Sequence, residues 1–141
     1  MFRRNALFSI SLVVALAILQ SGCAGTHVGA KSSEDYNKSP LTVAIPTGVS
    51  DEGALDVAES AFNRRQWKVV SRSDAEITGA LKHRAFDATA IIKIEDRNLV
   101  IYSDSIFIDP QTEEQSPGVP YGWLENLRDD MRDTLAYRAS Q

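Results

Sequence analysis

The chain has 141 residues with 15 basic and 19 acidic side chains, a net charge of −4: room for one domain of ordinary size and no second core. Two of the basic residues, Arg3 and Arg4, stand in an N-terminal segment laid out as an export signal, and without them the balance falls to −6. A surface of that sign is repelled by nucleic acid and by anionic headgroups, which argues against nucleic-acid partners and electrostatic membrane adsorption.

Residues 1–22 read as the signal: Arg3 and Arg4, then fourteen uncharged residues from Ala6 to Leu19, then small Ser21 and Gly22 before Cys23. The run is shorter than the ~20 apolar residues a membrane-spanning helix needs. Cys23 is the only cysteine, so it has no disulfide partner within the chain. The stretch Leu19-Gln20-Ser21-Gly22-Cys23 resembles the lipobox of bacterial lipoproteins, Leu-(Ala/Ser)-(Gly/Ala)-Cys, with Gln20 at its third position before the cysteine and the leucine one residue further back. The resemblance implies cleavage after Gly22, a thioether-linked diacylglycerol on Cys23 and an acyl chain on the new amino group. Two or three acyl chains, each buried methylene worth ~0.8 kcal/mol, hold a protein durably at a membrane. Ala24, where enterobacterial lipoproteins kept in the inner membrane carry Asp, implies the outer membrane, with the domain facing the periplasm.

From Ala24 to Pro40 the chain is polar and small apart from Val28 and Tyr36. Residues 23–40 therefore read as a lipid-anchored flexible tether that buries nothing, with His27 solvated. Residues 41–141 form the single domain.

Leu41 to Ile45 alternates as a strand closed by Pro46. Ser50 or Asp51 caps a helix to about Arg65, with Leu55, Ala58, Ala61 and Phe62 as its apolar stripe. Trp67–Arg72, Glu76–His83, Ala88–Glu95 and Leu99 to about Ile108 read as strands. Their short separations make an antiparallel meander. Asp109–Pro120 reads as a loop, and a second helix from about Gly118 or Tyr121 carries Trp123, Leu124, Leu127, Met131 and Leu135 on one side. The fold class expected is α+β: a two-layer sandwich of a mainly antiparallel four- or five-stranded sheet with two helices on one face.

Within the domain, Arg65-Gln66-Trp67-Lys68-Val69, then Glu76-Ile77-Thr78-Gly79-Ala80-Leu81 with Arg84, then Ile101-Tyr102-Ser103-Asp104-Ser105, and finally Tyr121-Gly122-Trp123-Leu124-Glu125-Asn126-Leu127 stand in one order. That order, behind a lipobox, resembles a family of small, functionally uncharacterised bacterial lipoproteins. Spacings slip by one residue at Ala80 and Tyr121, and a His that often precedes the family's Tyr is missing. The resemblance implies a fold and supplies no activity.

Catalytic chemistry is sparse, and no enzyme is expected. Only His83 of the two histidines lies in the domain, too few ligands for a zinc site, and no cofactor is expected beyond the acyl groups on Cys23. Lys82-His83-Arg84 with Asp87 can grip an anion, but reads first as a solvated hairpin end where Asp87 offsets Arg84. Asp104-Ser105 lacks a histidine and reads as a strand end satisfying nearby backbone. Trp67, Trp123 and Tyr121 read as packing residues, any one of which can anchor a partner.

The strand from Leu99 is apolar on both sides: Leu99, Ile101 and Phe107 point one way, Val100, Tyr102, Ile106 and Ile108 the other. A sheet covered on one face does not need that. Either the strand is central in a curled sheet, or its second face, with Ile91, meets another protein of the envelope; Ile91 and Tyr102 are the candidate partner surface. The functional expectation is a non-catalytic periplasmic binding or envelope-assembly module. The alternative is a carrier or sensor of a small amphiphile, held in a cavity lined by Phe62, Trp123 and Met131 between helices and sheet. The sequence sets no oligomeric state.

Overall fold

The computed structural model describes residues 31–141. The signal segment, Cys23 and tether residues 24–30 lie outside the described residues. In chain order the elements are α1 (Ser33–Asn37), β1 (Leu41–Ala44), α2 (Asp51–Arg64), β2 (Lys68–Arg72), β3 (Glu76–His83), β4 (Phe86–Glu95), β5 (Asn98–Ser103), β6 (Ile106–Ile108), β7 (Gln115–Pro117) and α3 (Tyr121–Ala139).

The α+β class and the antiparallel sheet are as expected, but the counts differ: the described residues hold seven strands and three helices. The main path runs β1-β5-β4-β3-β2, every neighbour antiparallel. β4 is the spine: β3 pairs with it from end to end, β5 with its second half, and β6 with its start through Phe86↔Phe107 and Asp87↔Ile106. The strand expected over 99–108 is thus two strands in line along β4, interrupted at Asp104-Ser105. There the Ser105 hydroxyl accepts the Thr89 N–H at 3.2 Å, a side chain standing where a ladder carbonyl would be. β7 arises inside the expected loop 109–120 and pairs with β6. Its Pro117 is tolerable because it lies on an edge.

Ser50 is the N-cap of α2, its Oγ accepting the Gly53 N–H at 3.0 Å, and Asp51 and Glu52 favour the positive end of the helix. The helix ends in a Schellman motif: Trp67 N–H donates to Phe62 O at 2.9 Å and Gln66 N–H to Asn63 O at 3.2 Å. Gln66 takes the left-handed conformation the motif requires, φ 63°, where glycine is usual. The accompanying apolar contact is present, with the Phe62 and Trp67 rings 5.7 Å apart.

α2 and α3 lie against the same face of the sheet. Phe62 of α2 sits over Gly79 so closely that a Cβ there would meet its ring at 2.6 Å. Leu124, Leu127, Met131 and Leu135 of α3 share one core with Ile77 (β3), Ile92 (β4), and Leu99 and Ile101 (β5). The β4–β5 hairpin turns on Asp96 and Arg97, both at positive φ as a two-residue loop demands. The Arg97 guanidinium reaches Asp51 at 2.8 Å and the Val49 carbonyl at 2.8 Å, tying the hairpin to the start of α2.

The tether is corrected at its C-terminal end. Ser32 caps α1, and Tyr36, expected in solvent, is 2% exposed within the core. α1 fills the edge of the β5–β6 line between β1 and β7. Tyr36 Oη donates to Ile101 O at 2.7 Å and accepts the Leu41 N–H. The Asn37 amide donates to Ser103 O and accepts Ser103 N–H, both at 2.9 Å, and Ser33 Oγ accepts Ser105 N–H at 2.9 Å. Three side chains stand in for a strand, because buried backbone groups must find partners.

Candidate functional site

The sheet face away from α2 and α3 carries the first candidate. Ile91 and Tyr102 are register partners there, both half-buried, and Val100, two residues from Tyr102, is 7% exposed. The register repeats the alternation read along 99–108: Leu99, Ile101 and Phe107 are buried with the core, while Tyr102, Ile106 and Ile108 stay half-exposed. The strand is apolar on both sides, and β5 is an interior strand, flanked by β1 and β4. Charges frame the pair. Tyr102 Oη donates to the Glu95 carboxylate at about 3.1 Å, Lys93 Nζ stands 5.7 Å from the Tyr102 ring centre, and Lys93 pairs with Glu76 at 3.4 Å. Desolvation, and then the Glu95 carboxylate, push the Tyr102 phenol above its ordinary range.

The hairpin cations are not assembled as an anion grip. Asp87 pairs with Lys82 at 3.7 Å rather than offsetting Arg84, because Lys82 and Asp87 are register partners on one face of β3–β4 while Arg84 sits in the turn at φ 53°. Asp104 is exposed and Ser105 is 3% exposed, its hydroxyl 2.7 Å from that of Ser103 and bonded to β4 backbone. Ser105 satisfies nearby backbone, as its residue type suggested, while the break between β5 and β6 is a feature the sequence did not mark. Among the described residues no cluster of three or more His, Cys, Asp or Glu side chains is placed to hold a metal, and no helix is long and apolar enough to cross a membrane.

The second candidate is a cavity of about 180 Å³ where the end of α2, β3 and the start of α3 meet, lined by Arg65, Gln66, Trp67, Leu81, His83, Trp123 and Asn126. Its floor is aromatic. Trp123 lies 6.4 Å from Trp67, 6.0 Å from His83 and 5.5 Å from Phe86, centre to centre. Trp67 is buried and Trp123 half-buried. On the rim, Arg65 donates to both carboxylate oxygens of Asp130, at 2.7 and 3.0 Å, and this hydrogen-bonded pairing holds the Asp130 carboxyl below the ordinary carboxylate range. The cavity is not the one expected between helices and sheet: Phe62 and Met131 are wholly buried, and of the three expected lining residues only Trp123 reaches it.

Sequence reasoning singled out Ile91, Tyr102, His83 and both tryptophans, and missed Arg65, Gln66, Leu81 and Asn126 as site residues. The tryptophans being the only two in the chain was the available signal. The left-handed Gln66 had none, since its conformation follows from where α2 stops. Set against family models, curated proteins and solved structures, the chain matches none of them.

Proposed function

We propose that this chain is a lipid-anchored bacterial lipoprotein of the small family it resembles, held at the outer membrane by acyl chains on Cys23. Its domain serves as a non-catalytic periplasmic binding or envelope-assembly module. The observation that carries the binding role is the sheet face opposite the helices, where Ile91 and Tyr102 stand side by side and half-buried. Among the described residues α2 and α3 cover the opposite face, and a tyrosine beside an aliphatic residue, framed by Lys93 and Glu95, suits the centre of an interface with a polar rim. Nucleic acid has no place in this reading, given the net negative charge.

Photo-crosslinkable residues at positions 91 and 102, in cells, are expected to capture envelope proteins, and the Cys23→Ser chain is expected to leave the membrane fraction and lose those adducts. Retention of Cys23→Ser in the membrane overturns the anchor; adducts no different from those of an exposed control position such as Val70 overturn the surface. The cavity bounded by Trp67 and Trp123 favours a second reading, a holder of a small ligand.

A further inference from the structure

We infer that the cavity between α2, β3 and α3 binds a single pyranose ring, as a free sugar or as one unit of a glycan; this rests on the ligand-holding reading above. Its volume, about 180 Å³, is below the ~300–1,000 Å³ of sites for drug-sized molecules and suits one ring-sized group. Floor and rim differ in chemistry. Leu81 and half-buried Trp123 offer apolar surface, backed by buried Trp67, whereas Gln66 and Asn126 bring primary amides, each both donor and acceptor.

A hydrocarbon chain would cover those amides without satisfying them, which is costly. An anion would find the Arg65 charge already taken up by both oxygens of Asp130. A pyranose matches both halves: its C–H face lies on an indole, and its hydroxyls donate and accept as the amides do.

Gln66 is set at the cavity by the Schellman turn that ends α2, at φ 63°, a position where glycine is usual.

Both tryptophans of the chain line the site, so intrinsic emission reads its occupancy. The full chain, reconstituted in phosphatidylcholine liposomes, is titrated with N,N′,N″-triacetylchitotriose, with maltotriose and with sodium decanoate. A saturable emission change with either sugar is expected. Gln66→Gly is expected to raise the thermal midpoint yet weaken sugar binding about tenfold, the loss of one or two hydrogen bonds. Asn126→Ala, on an exposed helix position, is expected to weaken it similarly without loss of folding. Saturation by decanoate alone overturns the pyranose assignment and leaves the ligand-holding reading standing; no saturation by any probe overturns both. Sugar binding unchanged in both variants overturns the site.

Discussion

Tyr36 stands in a segment whose composition assigns it to solvent, yet its ring is 2% exposed and its hydroxyl bonds Ile101 and Leu41. Burial pushes its phenol from 10.0 up to about 12. The folded value lies above the unfolded one, so the stability linked to keeping it neutral is complete below pH 10 and lost as pH rises through 12. Tyr36→Phe is expected to cost about 1–3 kcal/mol at pH 7, by leaving Ile101 O and Leu41 N–H unpaired. Its denaturant midpoint should then fall less steeply than the parent's between pH 10 and 12. Gln66 is the opposite kind of residue, one whose identity says nothing of its place. Its left-handed backbone follows from the Schellman turn that brings Trp67 under Phe62.

Among the elements, the long periodic ones were legible. α2 starts at the expected Ser50 cap, β3 has the bounds its alternation marks, and α3 buries Leu124, Leu127, Met131 and Leu135. α1 and β7 were not legible, having five and three residues and no period long enough to read. α1 exists because β5 and β6 leave an edge that β1 and β7 do not cover. Asn37→Ala removes both bonds to Ser103 at once and is expected to cost about 2 kcal/mol. Hydrogen exchange at the Ser103 amide should accelerate while amides in the β3–β4 ladder keep their protection. Uniform acceleration at both sites would mean that α1 is inseparable from the global fold.

At the scale of the whole molecule, the docking of α1 shortens the link to the proposed anchor. Lys31 O accepts the Val119 N–H at 2.9 Å, which fixes the chain next to the start of α3. Cys23 lies eight residues before Lys31, a separation that cannot exceed the fully extended limit of about 28 Å. The seventeen-residue tether read from composition would have lifted the domain further. If Cys23 is acylated as proposed, the β6–β7 side, where Lys31 enters the domain beside Val119, is expected to face the bilayer. The Asp96–Arg97 hairpin, at the other end of β4, is about 30 Å away along that strand. Dyes placed through Ser116→Cys and Asp96→Cys are expected to transfer energy to a headgroup acceptor with clearly higher efficiency from position 116. Equal transfer from both would show a domain that tumbles freely above the membrane.

Local periodicity sufficed to determine the class of fold, the helix stripes, the four-strand order from Trp67 onward and the two-sided apolar character of β5, because each depends on neighbours two to four residues apart. The lipobox at Cys23 is also a local pattern, and it lies outside the described residues. Only tertiary structure decided that Tyr36 is core, that Ser105 interrupts a strand, that Asp87 answers Lys82, and that Arg65, Gln66 and Asn126 gather around two tryptophans. Each of these depends on a partner that becomes adjacent only once the sheet edge, the register or a helix end is in place, and no spacing along the chain encodes that adjacency.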